Sequence, residues 1–524
     1  MLLAAGCSLD GLAEGGSAGG GGAAAATSTS VSAGGAGDGG GTGGSVESAF
    51  DWLRSVGNVG SQGTSPYPTD AGNGSSLRMS APDANGAVWI CAVTEGAIDP
   101  DGPGGYDAAG NATSRNLFLL ELGEDGALLS FHAYAGDLVD VDDSLSVGAI
   151  ERLDAGAIAV VGTFRGGTLD FGAAGMMTQS SQTQDDAFVV RFDADGVATI
   201  ARQLGGANAQ TARAAVYDGN RMLVAGKLKR TMKVTDPVTT LEDDGCAYSV
   251  GTEDFERATM LVFDPETLAC KHLATLAGVD TSATQQAYGV WTDASGVYVV
   301  GGFTKQILAA PLAAVPAAAG EDGFVAAFEN NLANPTPRWV ARATSNRNSA
   351  TDSLRAVYAD GARVFVGGFL ERGTSMVGGM DPALGVIGGS PCAVATPVGR
   401  DGIVGVLDVT TGACLGTLLL GGVDEDEVHA ITPTPLGIAA SGFTTNGIAG
   451  LDASLRGGSR DGFVALLDPA LTISGGRVLG GTSWDYLDGA WVDGAKLRVA
   501  GSYDTRFDFL DGQSDFFIGS LDAN

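Results

Sequence analysis

One paragraph of sequence recurs seven times along this chain, and that recurrence limits the fold more than any other feature. Each copy opens on a short apolar run ending in small residues and often an aromatic. The run reads Ala-Val-Trp-Ile-Cys91, Ala-Ile-Ala-Val-Val-Gly162-Thr-Phe164, Met-Leu-Val-Ala-Gly226 and Val-Tyr-Val-Val-Gly301-Gly-Phe303. It continues as Val-Phe-Val-Gly367-Gly-Phe369, Ile-Ala-Ala-Ser441-Gly-Phe443 and Leu-Arg-Val-Ala-Gly501-Ser-Tyr503. Equivalent positions lie between 60 residues (Ser441 to Gly501) and 75 residues (Gly226 to Gly301) apart. Runs this short, rich in β-branched residues and bounded by glycine, read as strands. They are apolar on both faces, as strands sandwiched between neighbouring sheets must be.

After a variable excursion comes a second signature. Its copies begin at Asn116, Asp186, Ala258, Asp322, Asp401, Asp461 and Asp515, with Asp461-Gly-Phe-Val-Ala-Leu-Leu-Asp468 as a full example. Turn residues such as Asp-Ala-Asp-Gly196 follow, then one more strand, which closes on Leu-Gly-Gly at 204–206 and 479–481. Four strands, a to d, make the blade of a β-propeller. The last unit stops at Asn524, one strand short, while Phe50-Asp-Trp52-Leu-Arg-Ser-Val-Gly-Asn58 resembles the d strand Arg338-Trp339-Val-Ala-Arg-Ala-Thr-Ser-Asn346. The expected fold is therefore all-β: a seven-bladed β-propeller over residues 45–524, with four-stranded blades, closed by the N-terminal strand completing the last blade. Such closure leaves no unpaired seam.

The repeat Asp-Gly-Phe-Val-Ala…Leu-Asp, a turn, Leu-Gly-Gly and then Val-Tyr-Val-Val-Gly-Gly-Phe resembles the seven-bladed propeller repeat called SBBP. That repeat is common in secreted and lipid-anchored proteins of myxobacteria and their relatives. The resemblance covers roughly residues 50–524 and implies the fold; the family has no catalytic signature to carry over. Blade 1 departs most, with Asn116 for aspartate and Ala92 for glycine.

The opening Met1-Leu-Leu-Ala-Ala-Gly-Cys7 resembles the cleavage site of a bacterial lipoprotein signal, with Ala4 where that family prefers leucine. Residues 1–7 are read as the remnant of such a signal, a start codon placed too far downstream accounting for the missing basic and apolar regions. Cys7 is the expected lipidation site. Residues 8–44, almost all Gly, Ala, Ser and Thr, read as a disordered tether with a mean reach of about 30–35 Å. The expected location is the bacterial outer membrane or cell surface, with the membrane met through the lipid anchor only. No run of about 20 apolar residues is present to span a bilayer.

The cysteines speak for an oxidising compartment. Cys246 and Cys392 lie in b–c excursions, and Cys270 and Cys414 each follow by six residues the aspartate that ends strand c. This matched placement predicts intrablade disulfides Cys246–Cys270 and Cys392–Cys414, each closing a loop worth about 3 kcal/mol in the chain-entropy model. The b–c loop and the start of strand d lie at opposite ends of a blade, so the excursion must run down the outer edge. Cys91, in an apolar strand, reads as a buried thiol.

Chemistry is harder to find. His132, His272 and His429 fall in strands d of blades 1 and 3 and strand a of blade 6, without the spacing of a zinc site. No Gly-x-Ser-x-Gly elbow supports a Ser-His-Asp triad, although its members need not be close in sequence. The net charge of −32 repels phosphate backbones, so nucleic acid is excluded as a partner. Calcium is the one cofactor considered, at Asp99, Asp101 and Asp107 in the blade 1 excursion. Asp137…Asp143 and Asp424-Glu-Asp-Glu427 read as solvated charge in d–a connections, and the repeated aspartate before strand c as a side chain bonding nearby backbone amides. The long b–c excursions, 97–114, 230–256 and 371–399, should gather on one face of the disc. Three functional readings follow: a non-enzymatic surface-displayed module binding a protein or glycan; a glycan-active hydrolase or lyase using acidic residues at the propeller channel; and a structural envelope component. A monomer is expected.

Overall fold

The structure is a computed structural model. It describes residues 50–522 except 58–76, 96–113, 139–143, 181–183, 207, 241, 250–255, 277–282, 308–314, 333–335, 346–349, 372–374, 380–391, 395–398, 423, 456–459, 481–483, 494–495 and 505–513. The described residues belong to one compact unit, Thr42–Asn524. Cys7, the 8–44 segment and the calcium candidates Asp99, Asp101 and Asp107 lie outside them.

Seven antiparallel sheets follow one another along the chain, each ordered a-b-c-d. The first strands are Leu77–Met79, Ser144–Arg152, Gln210–Tyr217, Gln285–Asp293, Ser353–Ala359, Asp426–Thr434 and Trp484–Asp493. Each lies against the first strand of the next sheet, and the seventh returns to the first, so the a strands ring a central axis. The molecule is a seven-bladed β-propeller. Its apolar residues are packed between successive sheets, as in the cluster of Trp89, Leu117 and Val160 that joins blades 1 and 2. This is why the repeat strands are apolar on both faces.

Closure occurs where the sequence places it. Phe50–Gly57 pairs antiparallel with Ser514–Asp522, Arg54 opposite Ile518 and Ser55 opposite Phe517, as the outer strand of blade 7. The c–d turns also follow the expected chemistry. Asp193, Asp264, Asp408 and Asp468 each accept backbone N–H groups of the turn on Oδ1, for instance Thr410 at 3.1 Å and Thr411 at 2.8 Å on Asp408. The Thr267 N–H on Asp264, and the Thr411 hydroxyl with the turn N–H groups on Asp408, hold these two carboxyls below the usual carboxylate range. Asp186, Asp322, Asp401 and Asp461, which start strand c, are buried. Asp186 accepts the Ser180 backbone N–H at 2.7 Å and the Gln203 side-chain amide at 2.8 Å, and Asp322 accepts the Thr344 hydroxyl at 2.8 Å.

Both disulfides form, Cys246–Cys270 and Cys392–Cys414, with Cα–Cα distances of 5.7 and 6.1 Å. The expectation that they are intrablade needs correcting. The blade 3 excursion forms strands Thr231–Thr235 and Glu242–Ser249, which add to the outer edge of blade 2. The blade 5 excursion likewise adds Ser375–Gly379 and Ala393–Val394 to the outer edge of blade 4. Each bridge therefore ties an excursion lying on one blade to strand d of the next. The reason is the exposed edge: strand d presents unpaired backbone groups, and the excursion satisfies them. Cys91 is buried and unbridged, and burial pushes its thiol up.

A second correction concerns Asp424-Glu-Asp-Glu427. Asp426 and Glu427 are 0% and 2% exposed and belong to strand a of blade 6, not to a solvated connection. Asp426 accepts backbone N–H groups of Gly422 at 2.8 Å and Thr445 at 3.2 Å.

Candidate functional site

Strand a of every blade from 2 to 7 carries a β-bulge at the same place. The register skips one residue between Val147 and Ala149, Ala212 and Ala214, Ala287 and Gly289, Leu354 and Ala356, Val428 and Ala430, and Leu487 and Gly489. The bulged residues are Gly148, Arg213, Tyr288, Arg355, His429 and Asp488. The repeat explains the bulge. A Cβ on the glycine of strand b (Gly162, Gly226, Gly301, Gly368, Gly442 or Gly501) would land on the carbonyl oxygen of the residue two before the bulge. Only glycine admits this approach. Blade 1 has Ala92 instead, and its Leu77–Met79 pairs in regular register around Arg78.

A bulge re-aims a side chain, and here seven positions make a closed circuit around the axis. Arg78 Nε donates to the Gly148 carbonyl at 2.8 Å, and the Gly148 Cα hydrogens face the backbone of Ala212 and Arg213. Arg213 and Arg355 both act on Tyr288, with the Arg355 guanidinium 4.1 Å from the ring centroid. Burial pushes the Tyr288 phenol up despite these cations. Arg355 in turn acts on Glu427, two residues before His429. His429 Nε2 is 3.4 Å from Glu427 Oε2, and Nδ1 is 3.7 Å from Asp488 Oδ1. Asp488 faces Arg78, which completes the circuit.

The walls above this ring are built from a second repeated position, the residue before the strand c aspartate. Arg400 lies 4.6 Å from the Phe369 centroid and pairs with Glu427 at 2.6 Å. Arg460 lies 4.8 Å from the Phe443 centroid, donates to Tyr486 Oη at 2.9 Å and pairs with Glu425. Each arginine thus joins its own blade to strand a of the next. Glu321 occupies the same position in blade 4; burial pushes its carboxyl up, against the opposing charge of Arg355.

Burial pushes Glu427 up as well, but the hydrogen bond and charge of His429, with the charges of Arg355 and Arg400, overcome it and hold the carboxyl at about 2. Burial lowers His429, and the hydrogen bonds and charges of Asp488 and Glu427 outweigh that, so its affinity for a proton is raised. Both imidazole nitrogens face carboxylates, an arrangement that favours the protonated imidazole. Burial lowers Arg78 against the pull of Asp488.

Strand a begins at the end of the blade where the d–a and b–c connections lie, so the bulge, early in strand a, lies toward that end. Sequence reading named His429 and Glu427 but dismissed both, one for lack of spacing and one as loop charge. It did not name Arg78, Arg213, Tyr288, Arg355 or Asp488. Aligning the a strands on the strand b glycine, which follows the bulged residue by 14 positions in blade 2 (148 to 162) and 13 in the next (213 to 226), was the signal that would have found them. His132 and His272 sit on outer strands, away from this ring. Among the described residues no three His, Cys, Asp or Glu side chains are grouped to hold a metal ion.

The fold and ring define a class, a seven-bladed β-propeller with a charged inner circuit. No family model matches the chain, and no curated protein matches it. Solved structures similar to it include the acylaminoacyl peptidase of Pyrococcus horikoshii, at 12% identity over 86% of this chain and 52% of that one, with a TM-score of 0.39. The chain thus spans about half the length of that peptidase. Others are quinohemoprotein alcohol dehydrogenase ADHIIG from Pseudomonas putida HK5 (9% identity, 90% and 76% covered, TM-score 0.38) and the quinohemoprotein alcohol dehydrogenase of Comamonas testosteroni (10%, 85% and 76%, 0.33).

Proposed function

We propose that this chain is a non-enzymatic binding module whose ligand, a glycan or a protein, docks on the loop-bearing face at the bulge ring. We read it further as an SBBP-type propeller, exported and displayed on a bacterial envelope surface through a lipidated Cys7. Two disulfides support export. Among the described residues no helix is long and apolar enough to cross a membrane.

The observation that carries the binding reading is the state of Glu427 and His429. A glycoside hydrolase needs a carboxylic acid that still holds its proton near neutral pH, paired with a second carboxylate. Glu427 is held well below the usual carboxylate range, and both nitrogens of His429 are already turned to carboxylates, Glu427 and Asp488. A rim of fixed charges on the innermost strands suits recognition. The hydrolase or lyase reading would fall back on carboxyls that burial pushes up, Glu321, whose neighbour Asp322 is occupied by Thr344, or Glu151 on strand a of blade 2, pushed up to about 8.

A glycan array and a pull-down from outer membranes, each run with the full chain and with a Tyr288→Ala/Arg355→Ala variant, test this reading. Captured ligands should be lost in the variant. Release of shortened glycan from an array hit would replace binding with hydrolysis.

A further inference from the structure

Of the residues at the bulged position, His429 is the one whose ordinary titration falls near neutral pH. It stands in a line of charges that crosses four blades. Arg400, before strand c of blade 5, pairs with Glu427 of blade 6 at 2.6 Å. Glu427 Oε2 faces His429 Nε2 at 3.4 Å, and His429 Nδ1 faces Asp488 Oδ1 of blade 7 at 3.7 Å. Arg78 of blade 1 acts on Asp488 in turn. The signs alternate along this line while the imidazole holds its proton. Once the proton leaves, two carboxylates, 2% and 8% exposed, flank a neutral ring, and the step from blade 6 to blade 7 loses its ion pair.

The imidazole is packed so that reorientation does not absorb this loss. The Tyr486 ring of blade 7 stacks on it at 6.3 Å and 9°, and the Phe443 ring meets it edge-on at 5.5 Å and 74°. Arg460 holds Tyr486 by donating to Oη at 2.9 Å and pairs with Glu425, while Arg355 acts on Glu427. The His429 side chain keeps 24% exposure, so its proton exchanges with solvent. Burial opposes that proton, but the hydrogen bonds and charges of Asp488 and Glu427 outweigh it and raise the imidazole above its ordinary value of 6.5. The tie is therefore complete below about pH 6.5 and is lost as pH rises through the raised value.

We propose that His429 is a proton-operated clamp between the bulges of blades 6 and 7: with its proton it ties Glu427 to Asp488, and on losing it lets the two innermost strands part at that level. The change is local. Ala439 and Val464 of blade 6 pack on Leu487 and Ala490 of blade 7, and this apolar contact does not change with pH, so the ring of blades stays closed. The clamp holds whether or not a ligand docks at the bulge ring.

Hydrogen exchange of the full chain between pH 5 and 9 tests the clamp, read as the ratio of the rate in Trp484–Asp493 to that in Ser353–Ala359, which cancels the intrinsic pH dependence. The ratio should rise several-fold with pH, in step with the titration of His429 followed by nitrogen NMR of histidine-labelled chain and assigned with His429→Gln. His429→Arg keeps a cation and should hold the ratio low at every pH, whereas His429→Gln should leave it high at every pH. If the arginine variant does not fold, Asp488→Asn should lower the His429 midpoint and raise the ratio in acid. A ratio that ignores pH, that moves apart from the His429 titration, or that responds equally in His429→Gln would overturn the clamp. A His429 midpoint at or below its ordinary value would overturn it as well.

Discussion

Trp339 of blade 4 rests against Gly412 in the c–d turn of blade 5: a Cβ on Gly412 would come within 2.6 Å of the indole carbons. The indole N–H also donates to the Val409 carbonyl at 3.2 Å, so one side chain joins two blades by packing and by hydrogen bond. A Cβ on Gly196 of blade 2 would likewise come within 2.7 Å of His132 and Trp89 of blade 1. Gly412 has φ of +70°, which adds a backbone cost to the collision. Gly361, at φ +84°, has nothing within 4 Å of a built Cβ and isolates the backbone cost alone. Gly361→Ala should destabilise by about 1–2 kcal/mol, and Gly412→Ala by clearly more. Equal urea midpoints for the two variants would show that the indole moves aside freely.

The closing strand has a direct test. Besides its register on Ser514–Asp522, it contributes Asp51, which pairs with Lys496 Nζ at 2.8 Å. The junction of blades 7 and 1 is also held by Arg498, 2% exposed, which donates to the Gly86 carbonyl. A chain begun at residue 60 keeps the arginine contact but exposes the edge of Ser514–Asp522. Its melting temperature should fall by several degrees and it should self-associate, and a peptide of residues 45–60 added in trans should restore both. A truncated chain that melts with the wild type would mean that the ring is closed by apolar packing and the Arg498 contact without the added strand.

The disulfides hold excursions onto neighbouring blades, not blades together internally. Replacing Cys246 and Cys270 by serine should cost about 3 kcal/mol in the chain-entropy account. Hydrogen exchange should rise first at Thr231–Thr235 and Glu242–Ser249 while the inner strands of blade 3 stay protected. Uniform loss of protection across blades 2 and 3 would show instead that the bridge supports the sheets themselves.

The propeller was legible because each blade repeats the same apolar runs and turn aspartates, and because Phe50–Gly57 resembles a d strand that blade 7 lacks. The cysteine pairs were legible by their matched placement, yet not the path between them, since nothing local in 230–256 or 371–399 says which blade's edge they will cover. The ring was illegible for a related reason. Arg78, Arg213, Tyr288, Arg355, His429 and Asp488 share a position but not one residue type, arginine recurring only in blades 1, 3 and 5, so a search for recurring chemistry passes over them. In blades 2 to 7 their common mark is steric, the strand b glycine that lets strand a bulge; at Arg78 blade 1 has Ala92 and no bulge.

That bulge sets up the most specific pH dependence in the molecule. His429 faces Glu427 and Asp488, with Arg355 and Arg400 acting on Glu427, Arg78 on Asp488, and the rings of Tyr486 and Phe443 packed at 6.3 and 5.5 Å. A histidine whose proton affinity is raised on folding stabilises fully below its ordinary value, about 6.5, and that contribution fades as pH rises through the raised value. Glu427, held at about 2, stabilises above its ordinary value of 4.5 and loses this as pH falls toward 2. The two overlap between roughly pH 4.5 and 6.5. His429→Gln should therefore lower the melting temperature most at pH 5–6 and least at pH 9. Glu427→Gln strands Arg400 and His429 without their shared carboxylate, and should cost about 3–5 kcal/mol near neutral pH, with less effect as pH falls below 4. Melting temperatures of the three proteins from pH 3 to 9 decide it: a His429→Gln difference that stays constant with pH would mean that the imidazole carries no charge in the folded ring.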